Sequence, residues 1–167
     1  MAISSVGSRE TSRKGHEYHI QHSLGKFSNL KPENLMTDLK RGKVFPLVIL
    51  KGDLASVGNK AMLRIPILSS FRCALLENKV EVISQTDTAI RLKACAKHIF
   101  RGGTVEMRIE RVEDELVYFI DGYGHEKETF FRYHLNLLFV HLGLWQLCIK
   151  KNVIPYAKQQ EALFSKL

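Results

Sequence analysis

Short segments of alternating apolar and polar residues, separated by turn residues, fill the sequence from Lys60 to Tyr123. Residues 89–98 are the clearest case, because Ile90 and Leu92 share one parity while Arg91 has the other. Alternation with a period of two is typical of a strand with one buried face. A run of about five or six such strands, joined by short turns, predicts an antiparallel meander.

Other predicted elements flank this meander on both sides. Residues 16–25 alternate as a strand does and end at a glycine. Residues 31–41 have an early proline, an acid in the first turn and basic residues at the end, which predicts a short amphipathic helix. Residues 43–50 are apolar but contain a proline, which suits an edge strand or a buried crossing loop. Residues 127–151 predict the longest helix, which we expect to end before Pro155.

The predicted helix at residues 127–151 is apolar over more of its circumference than one sheet face can cover. Such a helix is packed on two sides, lines a cavity, or contacts a second copy of the chain or a membrane surface. Its most apolar run, residues 135–149, is too short and too interrupted by polar residues to span a bilayer. We therefore expect no transmembrane segment, and a homodimer formed through this helix stays open.

The order of these elements favours an α+β fold in which a twisted antiparallel sheet grips a long C-terminal helix, because the concave face of the sheet needs one apolar cover. In this order the chain resembles the START-like helix-grip superfamily (SRPBCC), which includes polyketide cyclase-like and lipid-transfer domains. Residues 94–124 add to the resemblance, since a histidine there precedes a glycine-containing turn and a hairpin. The resemblance implies an apolar ligand enclosed between sheet and helix.

The 167 residues predict one folded domain with two short extensions. We expect a disordered basic leader at residues 1–15, a helix-grip domain at residues 16–151 and a C-terminal tail at residues 152–167. The leader has no apolar stretch, so a secretory signal is not expected. The three cysteines are far apart and odd in number, which favours a reducing compartment and a cytoplasmic location.

The resemblance and the apolar helix together suggest a site that binds an apolar or lipid-like small molecule without catalysis. Most candidate residues lie on the predicted long helix or on the last strand, and the histidines would supply the polar groups that orient a ligand in an apolar pocket. A buried histidine equally well satisfies a hydrogen bond within the core. The candidates are His98, Tyr118, Phe119, Phe131, His134, Leu135, Leu138, His141, Leu142 and Trp145.

Two other functions stay open. A cyclase or hydrolase would use His98, Asp121 or His125, because a carboxylate near an imidazole permits general acid–base chemistry. No established catalytic motif accompanies these residues, so no catalytic residue is assigned. An interaction module would bind nucleic acid or anionic lipid through a basic sheet face that includes Arg91 and Lys93.

The net charge of +8 raises nucleic acid as a partner until the charges are located. Residues 1–15 carry three basic and one acidic side chain, and residues 150–167 carry four and one, so the two ends hold five of the eight net charges. Nucleic acid is therefore not the expected partner. His16, His19 and His22 are spaced by three and alternate between the faces of a strand, so neither a metal site nor a cofactor is expected.

Overall fold

A computed structural model describes residues 4–11, 15–46, 48–64, 78–95, 102–124 and 143–166. Its strands are β1 (Ser4–Thr11), β2 (Gly15–Lys26), β3 (Val48–Lys51), β4 (Lys60–Arg64), β5 (Asn78–Gln85), β6 (Ala89–Ala94), β7 (Thr104–Val112) and β8 (Glu115–Gly124). Its helices are α1 (Pro32–Lys40), α2 (Leu144–Cys148) and α3 (Ile154–Phe164), and a π-helical segment (Ile149–Val153) lies between the last two.

The eight strands form one sheet in the order β1-β2-β8-β7-β6-β5-β4-β3, and all neighbouring strands are antiparallel. Strands β4 to β8 follow one another in both sequence and space, so the predicted meander is confirmed. β2 pairs with β8, which brings the two ends of the fold together. The predicted α+β class, with an antiparallel sheet and a C-terminal helix, is also confirmed.

One face of the sheet, called the inner face below, is buried with the helices in a single hydrophobic core. Its positions alternate along each strand, as the period of two predicts. Each large apolar side chain buried there contributes about 1.5–3 kcal/mol to stability. The inner-face residues are Tyr18, Ile20, His22, Leu24, Ala61, Leu63, Val80, Val82, Ile90, Leu92, Met107, Ile109, Leu116, Tyr118 and Ile120.

The predicted short helix is confirmed as α1, with Pro32 in its first turn and Glu33 beside it, where a helix dipole favours an acid. Its buried residues include Leu35, Met36 and Leu39, spaced by one, three and four, so they form one apolar stripe. This stripe joins the core, and α1 packs against β7.

The prediction that Pro155 ends the C-terminal helix is wrong. α2, the π-helical segment and α3 follow one another directly, and Pro155 lies in the first turn of α3. A proline lacks the backbone N–H and its ring crowds the carbonyl four residues earlier. Here the N–H of Ile154 donates to the carbonyl of Ile149, five residues back, so the wider π turn accommodates the proline without ending the helix. Part of the predicted tail is therefore helical.

The expected disorder of residues 1–15 is also corrected, because Ser4–Thr11 forms β1 and pairs with β2 along its whole length. Without β1, the edge of β2 would present unpaired N–H and C=O groups. Residues 1–3 and 12–14 lie outside the described residues, as do the predicted strand segments at residues 65–76 and the predicted helical residues 127–142.

Two charged side chains from distant parts of the chain hold the connection between β2 and α1, residues 27–30. Arg111 on β7 donates to the carbonyl oxygens at both ends of this connection, at 2.7 and 2.8 Å. Glu161 on α3 accepts hydrogen bonds from the three backbone N–H groups of residues 28–30, at 2.9, 3.1 and 2.7 Å. The C-terminal helix is therefore tied to the start of α1 by one carboxylate.

Glu161→Gln is expected to lower the urea midpoint of unfolding at pH 7, because the amide retains one acceptor oxygen and turns an NH2 group toward backbone donors. Partial desolvation raises the pKa of Glu161, but the hydrogen bonds from Asn29, Leu30 and Ser28 together hold that pKa below its usual value. Such a carboxylate stabilises the fold above its unfolded-state pKa and loses this contribution as pH falls through its folded-state pKa. The difference in midpoint between wild type and variant should therefore shrink below about pH 4.

Glu113→Gln is the matched control, because Glu113 is exposed in the β7–β8 turn and its one electrostatic contact within the described part of the chain, with Lys26, is weak. Its urea midpoint at pH 7 should equal that of the wild type. A pH-independent difference between Glu161→Gln and wild type would contradict the role given to the carboxylate.

Candidate ligand-binding site

Among the described residues, the inner face carries three buried side chains with polar N or O atoms, and all three lie on the paired strands β2 and β8. These are Tyr18 and His22 on β2 and Tyr118 on β8. His22 and Tyr118 are direct register partners. A few polar groups converging in an apolar interior is the arrangement by which protein cavities orient small ligands.

Tyr118 is fully buried, and its hydroxyl donates a hydrogen bond to Sδ of Met107 at 3.3 Å. Burial raises the pKa of Tyr118 far above its usual value, so the phenol stays protonated. Because its proton points to a weak sulfur acceptor, the oxygen of Tyr118 retains its capacity to accept a hydrogen bond.

Tyr18 connects the sheet to the C-terminal helix. Its ring lies against Gly122, its register partner on β8, where an added Cβ atom would stand 2.0 Å from the ring carbon Cζ. Its side chain is hydrogen-bonded to Trp145 of α2, and the indole N–H is the donor. Burial raises the pKa of Tyr18, although this hydrogen bond acts in the opposite direction. Trp145 is itself only 5% exposed.

His22 is 9% exposed, and its Nδ1 atom is buried with no hydrogen-bond partner among the described residues. Burial lowers the pKa of His22, and the positive charge of Lys150 lowers it further. The imidazole is therefore neutral at pH 7, with one nitrogen that donates and one that accepts. A buried polar atom without a partner is uncommon in folded proteins, which marks His22 as a candidate for ligand contact.

Solved structures share this sheet and helix arrangement at low sequence identity. The conserved protein of unknown function EF2215 from Enterococcus faecalis is 10% identical, with a TM-score of 0.54 over 95% of this chain and 88% of that one. Major latex-like protein 151 from Panax ginseng is 10% identical, with a TM-score of 0.52 over 86% of this chain and 98% of that one. StfQ, a di-domain ARO/CYC from the steffimycin biosynthetic pathway, is 10% identical, with a TM-score of 0.55 over 89% and 52%.

This chain has the START-like helix-grip fold. The resemblance inferred from element order is thus confirmed at the level of the fold. No protein-family model matches the sequence, and no curated protein matches it at a significant level.

Within this helix-grip fold, the structure describes three of the ten residues predicted for ligand binding. Tyr118 and Trp145 both lie in the core between sheet and helix. Phe119, the third of these residues, does not belong to this core. The other seven lie outside the described residues: His98, Phe131, His134, Leu135, Leu138, His141 and Leu142.

The prediction for Phe119 is wrong, because Phe119 points to the outer face of the sheet. The guanidinium of Arg108, its register partner on β7, lies 4.7 Å from the centre of its ring. Successive residues of a strand point to opposite faces, so Phe119 cannot share the inner face with Tyr118. The residues around it are apolar in both parities, and for that reason the sequence did not distinguish the two faces.

Asp121, a candidate for acid–base catalysis, also lies on the outer face of the helix-grip sheet. Its Oδ1 atom is 2.6 Å from Nδ1 of His19, and its Oδ2 atom is 3.3 Å from Nη1 of Arg108. Its expected partner His125 lies outside the described residues. Asp121 therefore belongs to a surface ion-pair network and is separated from His22 by the thickness of the sheet.

The outer face is mixed in charge and not uniformly basic over the part that the structure describes. Arg91 is 3.5 Å from Glu106, and Lys60 is 3.6 Å from Glu81. Arg108 lies between Glu106, Glu110 and Asp121. Acidic neighbours thus offset the cations on which the interaction-module hypothesis rested.

His19 and His22 do not converge, because β2 is a strand as predicted. His19 points outward with an exposed side chain, whereas His22 points into the core. Within the described residues, no group of three or more potential ligands is placed to hold a metal ion. None of the described helices has both the length and the hydropathy needed to cross a membrane. His22 was considered only as a metal ligand, but its parity with Ile20 and Leu24 already placed it on the buried face.

An open groove of about 440 Å³ lies at the surface between α1 and the β5–β6 turn. Nζ of Lys40 donates to the carbonyl of Thr86 on the other side of the groove. Its lining is mainly polar or charged and does not suit an apolar ligand. The lining residues are Thr37, Lys40, Arg41, Ala55, Gln85, Thr86 and Asp87.

Proposed function

We propose that this protein binds an apolar or lipid-like small molecule between the inner face of the sheet and the C-terminal helix, without catalysing a reaction on it. The observation that carries the proposal is the buried His22, whose Nδ1 atom has no hydrogen-bond partner among the described residues. A buried polar atom left unpaired costs roughly 1–3 kcal/mol, and a ligand that pairs with it removes that cost.

The surroundings of His22 support an apolar ligand body. The neighbouring inner-face positions include Ile20, Leu24 and Ile120, all of which are almost completely buried. The sequence adds a second argument, because residues 127–151 contain more apolar side chains than one sheet face can cover. An enclosed apolar molecule would cover the excess.

Tyr118 and Trp145 are the predicted site residues that we propose for the wall of the site, together with His22. Tyr118 is the register partner of His22, and Trp145 joins the helix to Tyr18. The seven predicted residues outside the described part of the chain stay proposals on the sequence alone. Phe119 is withdrawn from the set, because it faces Arg108.

Trp145 is the single tryptophan of the chain, so its fluorescence reports on this site alone. Titration with butylbenzene is expected to change the Trp145 emission with saturation and a stoichiometry near one, with Kd on the order of 10 µM from the apolar area that such a molecule buries. Organic extraction of purified protein followed by mass spectrometry should recover a chemically unmodified apolar molecule.

Calorimetry on the wild type is the control for the reporter, because it does not depend on fluorescence and should give the same Kd for butylbenzene with a stoichiometry near one. The absence of both saturable binding and a co-purifying molecule would contradict the proposed function. Recovery of a chemically converted product after the protein is incubated with the extracted molecule would contradict the non-catalytic part of the proposed function.

A further inference from the structure

Among the described residues of the inner face, His22 has a buried side-chain polar atom without any hydrogen-bond partner. The hydroxyl of Tyr118 donates to Met107, and the side chain of Tyr18 is engaged by Trp145. The Nδ1 atom of His22 is also buried but has no partner within the described part of the chain. Any ligand that reaches the inner face at this point meets an imidazole that favours a polar group.

We propose that His22 is the polar anchor of the site, and that it selects apolar molecules that carry a hydroxyl group. This inference rests on the proposed binding function and names its ligand class. A hydroxyl donates and accepts, so it pairs with the imidazole nitrogen in either tautomer. A pure hydrocarbon leaves the nitrogen unpaired, which costs affinity.

The burial of His22 favours a neutral partner. Burial and the charge of Lys150 both disfavour the protonated imidazole, so His22 presents no positive charge to a ligand carboxylate. Lys150, whose charge reaches His22, is exposed, so a carboxylate carried to the buried Nδ1 atom would still lose most of its hydration. A hydroxyl has a smaller desolvation cost and still forms the hydrogen bond.

Three ligands with one hydrocarbon body test the proposal: butylbenzene, 4-butylphenol and 4-butylbenzoate. Binding is measured by calorimetry to wild type, to His22→Leu and to the matched control His19→Leu, which changes a histidine of the same strand on the outer face. Wild type is expected to bind 4-butylphenol about tenfold more tightly than butylbenzene. His22→Leu should bind the two ligands equally, and His19→Leu should behave as wild type.

A measurement on the wild-type protein tests the proposal even if His22→Leu misfolds. In protein labelled with 15N-histidine, 4-butylphenol should shift the Nδ1 resonance of His22, and butylbenzene should not produce this shift. An unmoved Nδ1 resonance at saturation would overturn the anchor.

The outcomes separate this inference from the proposed function. If wild type binds butylbenzene and 4-butylphenol equally, the role of His22 is overturned while apolar binding stands. If 4-butylbenzoate binds most tightly and this preference disappears in His22→Leu, the hydroxyl class is overturned in favour of an acid. If none of the three ligands binds, the proposed function fails and this inference fails with it.

Discussion

Gly122→Ala is expected to lower the free energy of unfolding by about 3 kcal/mol and Tm by about 9 °C. The new methyl group would stand 2.0 Å from Cζ of Tyr18, a buried ring that is also hydrogen-bonded to the C-terminal helix. The ring must therefore leave its position, and the contact with Trp145 is lost with it. Urea unfolding followed by circular dichroism and by Trp145 fluorescence measures the change.

The control for Gly122→Ala is the same substitution in a Tyr18→Ala background. Without the ring, the three atoms closest to the added methyl group are gone, so its cost should fall below about 1 kcal/mol. An equal cost in both backgrounds would show that the effect does not come from contact with Tyr18.

Gly52→Ala is expected to cost about 3 kcal/mol, because two separate penalties act at this position. Gly52 has φ of 83°, a left-handed conformation that favours glycine, and an added Cβ atom would stand 2.1 Å from the backbone oxygen of Lys60. A backbone atom in the paired strands β3 and β4 cannot move aside as a flexible side chain can. Urea unfolding gives the cost directly.

Gly58→Ala is the matched control for Gly52→Ala. Its φ of 87° is nearly the same, but an added Cβ atom would meet nothing within 4 Å. Only the conformational penalty remains, and the expected cost is about 1 kcal/mol. If the two substitutions cost the same, the close approach of Gly52 to Lys60 does not contribute.

The candidate site was only partly predictable, for reasons that differ between residues. Trp145 was found because it belongs to an apolar helical stripe, and a stripe is visible in one sequence. His22 was not predicted as a site residue, although it shares the parity of the apolar Ile20 and Leu24, because the spacing of the three histidines suggested only a metal site. Phe119 was misplaced because its strand is apolar in both parities. Only the structure distinguishes the two faces of this strand, since it places Phe119 against Arg108 and buries Tyr118 on the inner face.

Periodicity and turn chemistry along the chain determined the meander, α1 and the α+β class, since each depends on residues that are neighbours in sequence. The tertiary structure alone decided the rest. β1 forms because the edge of β2 offers unpaired backbone groups to a polar segment, and the helix passes Pro155 because a π turn relieves the clash. The unpaired nitrogen of His22 was also decided by the tertiary structure. The burial of a side chain and its hydrogen-bond partners depend on residues about a hundred positions apart in the chain, as His22 and Tyr118 are, and no local sequence pattern encodes such contacts.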